Sequence, residues 1–123
     1  MNVTRILHHS VNVLGRLDDS IRFYEEIIGL PSEERPMIAG VDGAWFRSGP
    51  SQVHLVDAEE GAGAIRPTAA HVCFGVTDLD AAIDELEDRG IPYERGAQGS
   101  VVQIWIVDPS GNVVELQQDP HHG

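Results

Sequence analysis

A diverged internal repeat constrains this chain more than any other feature. Residues 8–31, HHSVNVLGRLDDSIRFYEEIIGLP, return as residues 71–93, HVCFGVTDLDAAIDELEDRGIPY. Each copy begins with His, runs through an alternating segment, turns at Leu-Asp, continues at helical spacing, and closes on Gly, an apolar residue and Pro. A period near 62 residues in a chain of 123 means two halves of one domain. Neither half is long enough to bury a sheet face alone, so the two must share a hollow or a core.

Local patterns supply the elements. In the first copy Leu17, Ile21, Tyr24 and Ile28 form an apolar helical stripe, with Asp18 or Asp19 to cap it and Gly29 to stop it. In the second, Leu79, Ala82, Ile83 and Leu86 form the stripe, Asp78 is the N-cap and Gly90 the end. After the first helix, GAWFRSG and SQVHLVD flank the turn GPS; after the second, SVVQIWIV and NVVELQQ flank DPSG, where Asp108 is a turn residue. The Gly-rich residues 57–69, DAEEGAGAIRPTA, connect the halves. The expectation is one α+β domain over residues 1–123, built from two tandem βαβββ modules, about 5–57 and about 69–119. Their mixed, mostly antiparallel sheet should curve around a common hollow.

Composition narrows the partners. A net charge of −12 repels phosphate backbones and anionic headgroups, which excludes nucleic acid and membrane surfaces as expected partners. No run of 18 apolar residues and no signal-peptide pattern is present, so neither membrane insertion nor secretion is expected. The single Cys73 cannot form an internal disulfide, which fits a reducing cytoplasm.

The chemistry-bearing candidates are polar residues that interrupt apolar strands. His54 in QVHLV, His71 in HVCFGV and Glu115 in VVELQ each face away from the neighbouring apolar set. With His8 or His9, each module then carries a His near its start and a ligand-type residue near its end. A Glu among apolar strand residues is costly unless hydrogen-bonded, paired or bound to a cation. A lone strand His is usually structural; the recurrence of these positions in both modules is what points to a divalent first-row metal. Strand alternation separates the two adjacent histidines: His8, Ser10 and Asn12 form the polar set, whereas His9 shares the face of Val11 and Val13, toward the helix. Ungapped matching to the second copy pairs His9 with His71 instead, and a one-residue insertion in LGR, where Gly15 tolerates unusual backbone, would reconcile the two. His8 is therefore the expected metal-facing residue. Asn12, Trp45, Arg47, Gln103 and Trp105 are candidates for substrate contact, Arg47 for orienting a carboxylate; His121 and His122 are expected at a solvated C-terminus.

The segments HHSVNV, LDDSIRFYEEIIGLP, GAWFRSG, QVHLV, HVCFGVTDLDAAIDELEDRGIPY and VDPSGNVVELQQ together resemble the vicinal oxygen chelate superfamily, the glyoxalase, bleomycin-resistance and dioxygenase group. The resemblance spans nearly the whole chain. It implies paired βαβββ modules holding a divalent metal (Fe, Mn, Ni, Zn or Co) through one residue near each module's start and one near its end. Carried over, His71 and Glu115 match the second module's ligand positions, and His54 falls on the first module's late position. Glyoxalase I-like members usually carry Glu there, so His54 is a departure that weakens assignment as a lactoylglutathione lyase. The implied ligand set is His8, His54, His71 and Glu115, with Glu115 also a catalytic base when displaced.

The function so implied is a metal-dependent enzyme acting on a small oxygen-chelating substrate, by lyase or isomerase chemistry or by O₂-dependent ring opening. Extradiol dioxygenases usually need more scaffold than this chain offers, so proton-transfer chemistry ranks above them. The alternative is a metal-free binding protein of the bleomycin-resistance kind. The family also implies a homodimer.

Overall fold

The computed structural model describes residues 1–121; His122, expected at the solvated terminus, lies outside them. The element order is β1 (Val3–Asn12), α1 (Leu17–Arg22) running on into a π-helical turn (Phe23–Ile27), β2 (Ser32–Glu33), β3 (Asp42–Ser48), β4 (Ser51–Asp57), β5 (His71–Val76), α2 (Leu79–Asp88), β6 (Glu94–Gln98), β7 (Val101–Val107) and β8 (Val113–Gln118). All eight strands form a single sheet in the order β2-β3-β4-β1-β5-β8-β7-β6. The two halves of that order are mirror-related, as the repeat requires. Parallel pairs β1/β4 and β5/β8 sit inside antiparallel partners, so the sheet is mixed, and it is not closed: β2 and β6 are its edges.

The modules join through antiparallel β1 and β5. Two register shifts interrupt that seam, one between Ile6 and His8, where β1 inserts an extra residue opposite β5. Beyond the bulge, His8 stands opposite Cys73, and Cys73 opposite Glu115 on β8. Three donor-bearing side chains thus form one row across the middle of the sheet.

The packing of the two helices differs. α2 is capped by Asp78, whose side chain accepts from the Ala81 N–H at 3.0 Å. It ends with Gly90 at φ 66°, its N–H on Glu87 O and the following Ile91 N–H on Leu86 O, a Schellman closure. Leu79, Ala82, Ile83 and Leu86 bury its face against Val76, Ile104 and Leu116. α1 departs from expectation. It starts at Leu17, so the cap position is Arg16 with no side-chain cap bond, and Asp18 and Asp19 fall in the first turn. Asp19 there pairs with Arg16 and Arg22. No residue of α1 or its π-helical extension is buried, and the expected stripe residue Ile28 is 53% exposed. The π turn shifts the helix phase, so a stripe spaced for 3.6 residues per turn does not stay on one face.

The connection between modules is held by Asn12. Its Nδ2 donates to Ala58 O and Thr68 O, both at 2.8 Å, and its Oδ1 accepts from the Leu14 N–H. Two acceptors at opposite ends of the Gly-rich segment are thereby tied to one side chain. Among the described residues no helix is long and apolar enough to cross a membrane.

Candidate metal and substrate site

The cleft of about 500 Å³ on the face of the row just described is lined by His8, His54, His71, Glu115 and both tryptophans. His8 is 6% exposed and points into it, while the adjacent His9 is exposed to solvent, not packed behind the strand as alternation alone suggested. The first module uses residues 13–16 between strand and helix where the second uses only 77–78, and Gly15 there takes φ 77°. That longer turn accommodates the offset between His8 and the second-module His.

Three donor atoms converge. His8 Nε2 and His71 Nε2 each lie 3.1 Å from Glu115 Oε1, and 3.4 Å from one another. Atoms bound at about 2.0–2.2 Å to one cation stand roughly 2.8–3.6 Å apart in octahedral or tetrahedral arrangement, so this triangle already has the dimensions of a coordination sphere. His71 Nδ1–H donates to Ala69 O at 2.8 Å, which aims Nε2 at Glu115 and leaves it as the ring nitrogen that would take a metal. Cys73 Sγ lies within 4.8 Å of the His8 and Glu115 donors, but burial pushes its thiol far up, the neighbouring Glu115 carboxylate adding to the effect. The residues present therefore fit a divalent ion held by His8, His71 and Glu115.

Glu115 is wholly buried yet fully bonded. Its Oε2 accepts from Gln117 Nε2 at 2.6 Å and Gln103 Nε2 at 3.2 Å. Burial alone would raise its pKa; hydrogen bonds from His71 and His8, the charge of His8 and the Gln117 amide outweigh it and hold the carboxyl at about 2. Gln117 was not singled out from sequence. It lies two residues beyond Glu115 on the same strand face, a spacing that could have flagged it.

His54 flanks the triangle on the His8 side. Its ring stacks between His8, centroids 3.9 Å apart, and Trp45, at 4.1 Å and 1° between planes. Its Nε2–H donates to Gln52 Oε1 at 2.9 Å. Burial first, and the charge of His8 second, press its pKa down to about 2, so the ring is neutral. Trp105 meets His71 edge-on at 4.7 Å. Both tryptophans thus brace imidazoles while exposing surface to the cleft.

The remaining candidates divide. Gln103 lines the cleft with its amide engaged on Glu115. Arg47 also lines it, but Glu33 holds its guanidinium through Oε1 at 2.6 Å and Oε2 at 2.9 Å. Asn12 is not among the cleft-lining residues; its amide is engaged on the inter-module connection. His121 is exposed and lines the cleft near the chain's end.

The single chain brings all three donors together, with β1 from one module and β5 and β8 from the other. Comparison with known proteins places this architecture. Over 126 aligned residues the chain is 29% identical to glyoxylase I 4 of Arabidopsis thaliana, covering 94% of this chain and 71% of that protein. It is 30% identical to virulence protein STM3117 of Salmonella typhimurium, covering 91% of this chain and 83% of that one. The fold matches hypothetical protein BH1468 from Bacillus halodurans at TM-score 0.68 and 21% identity, over 94% of each chain. It also matches homoprotocatechuate 2,3-dioxygenase from Brevibacterium fuscum at TM-score 0.70 and 18% identity, 96% of this chain against 33% of that longer one. Residues 6–116 match the family model itself, and the chain belongs to the Glyoxalase/Bleomycin resistance protein/Dioxygenase superfamily.

Proposed function

We propose that the protein is a divalent-metal enzyme whose ion, held by His8, His71 and Glu115, receives two neighbouring oxygens of a small substrate. The observation that carries this reading is the triangle of donor atoms, 3.1, 3.1 and 3.4 Å on its sides. When bound, such an ion supplies a Lewis acid that stabilises negative charge developing on the substrate oxygens. The chain's own groups do the positioning. Ala69 O fixes the His71 tautomer, Gln103 and Gln117 orient Glu115, and the tryptophan rings keep water from the imidazole faces. Two amide hydrogen bonds on its Oε2 favour Glu115 as a fixed ligand over a mobile base. His54, with Nε2–H on Gln52, keeps Nδ1 unprotonated and would accept a hydrogen bond from a substrate hydroxyl.

Metal analysis of purified protein tests this. About one divalent ion per chain is expected, lost in His71→Ala and retained in His54→Ala. Loss of metal in His54→Ala would restore the four-ligand set implied by sequence; absence of metal from the wild type and after incubation with Fe²⁺, Mn²⁺, Ni²⁺, Zn²⁺ or Co²⁺ would sink the enzyme reading. A metal-free binding protein is the second reading. It is favoured by one observation, that the buried triangle is hydrogen-bonded within itself. With metal present, hemithioacetals, epimerisable thioesters and catechols are the substrates to screen, since they separate proton-transfer from O₂-dependent chemistry.

The same reading includes a homodimer and a cytoplasmic location. Exposed Phe23, Ile27 and Ile28 on the first helical segment support the former, and the buried, free Cys73 thiol is compatible with the latter. Light scattering at micromolar concentration should give twice the 13.4 kDa chain mass; a monomer there removes the dimer from the reading.

A further inference from the structure

Carboxylates outnumber cations 20 to 8 in this chain, and all eight cations are Arg. Six arginines hold a carboxylate: Arg5 on Asp119, Arg16 and Arg22 on Asp19, Arg47 on Glu33, Arg66 on Glu60 and Arg89 on Glu85. Arg95 is exposed to solvent. Arg35 is the exception. It is half-buried, lines the cleft, and has no carboxylate bonded to it among the described residues. Its Nη2 donates to Val41 O at 2.8 Å, its Nε is buried without a partner, and Nη1 bonds nothing among the described residues. Asp42 is near enough to favour its charge but makes no hydrogen bond with it.

The guanidinium is seated by a missing side chain. A Cβ on Gly43 would come within 3.1 Å of Arg35 Nε and 3.3 Å of Cζ, besides meeting Leu55 O at 2.2 Å. Ile38, Val41 and Trp45 line the same cleft. A guanidinium with no carboxylate hydrogen-bonded to it, beside apolar cleft walls, suits a planar anion that can take two N–H donors. A doubly charged phosphate would want more donors than one guanidinium supplies.

We propose that Arg35 binds a carboxylate carried by the substrate. The substrate class is thereby a small organic acid with a chelating pair of oxygens at one end and a carboxylate toward the other. This takes over the part that sequence gave to Arg47, whose guanidinium Glu33 already occupies. The carboxylate rests on the cleft being the substrate site and not on the ion, whereas the chelating pair rests on the proposed function.

The probes are phenylacetate and its uncharged isostere phenylacetamide, titrated by calorimetry into EDTA-treated, full-length protein. Phenylacetate should bind about tenfold or more tightly, since a hydrogen bond to a charged group is worth that much in affinity. Arg35→Met should erase the preference and Arg35→Lys keep part of it, with thermal melting used to check that each variant is folded. Equal binding of the two probes by the wild type, or a preference that survives in folded Arg35→Met, would overturn the proposal. Because the ion is absent throughout, either result leaves the metal reading standing, and absence of metal uptake leaves the Arg35 result standing.

Discussion

At the scale of single residues, the site and the fold around it depend on side chains that act through a partner. Gln117 is one: with its amide 2.6 Å from Glu115 Oε2, it keeps the other oxygen turned toward His8 and His71. Gln117→Leu should therefore lower divalent-metal affinity roughly 10–100-fold with all three donors in place, measured by competition against a chromophoric chelator. Asp119 is another, 1% exposed and bonded by Thr4 Oγ1 at 2.6 Å and Arg5 Nε at 3.1 Å. The hydrogen bonds from Arg5 and Thr4 hold its carboxyl far below the ordinary carboxylate range. A carboxyl so depressed stabilises the fold fully above the unfolded value of about 3.9 and progressively less as pH falls below it. Asp119→Asn should thus melt at lower temperature than wild type at pH 7, with the gap closing as pH is lowered below 4. An equal gap at both pH values would show that the charge is not the cause. His71 and Glu115 were legible in the sequence because the repeat marks their positions. Asp119 and Arg35 were not, since their meaning lies in partners from other strands: Thr4 and Arg5 for one, Gly43 and Val41 for the other.

At the scale of elements, the two helices share a pattern and differ in what it does. Leu86 on α2 is 1% exposed within the cluster of Val76, Ile104 and Leu116, so Leu86→Ala should cost about 2–5 kcal/mol in denaturant unfolding. Ile27 in the π-helical extension is 73% exposed in the single chain, so Ile27→Ser should change monomer stability by less than about 0.5 kcal/mol while weakening the proposed dimer. A large loss at Ile27 would mean that another surface covers this segment in solution. Strand pairing was readable from alternation and turns because β3, β4, β7 and β8 are flanked by Gly and Pro signals. The short edge strand β2 and the phase shift at Phe23 were not, for neither changes the local apolar spacing. The β1 bulge near Leu7 is equally silent in sequence, yet it fixes which residues of β1 stand opposite β5.

At the scale of the whole molecule, the candidate ion would tie the modules together. His8 belongs to the first module, and His71 and Glu115 to the second, so the donors straddle the β1/β5 seam. That seam is already interrupted by two register shifts. A ligand that binds only the folded state stabilises it by about 4 kcal/mol when present at roughly 1,000 times its dissociation constant. In the unfolded chain the three donors are scattered, His8 and Glu115 being 107 residues apart, so little compensating affinity remains there. Metal-saturated wild type should therefore melt well above its EDTA-treated form, and the difference should vanish in Glu115→Ala while persisting in Arg35→Met. The persistence matters, because the carboxylate-binding wall and the triangle share one cleft but no donor atoms. If saturating metal leaves the wild-type melting temperature unchanged, the two modules are joined by strand pairing alone and the buried triangle is a hydrogen-bonded core of a binding protein.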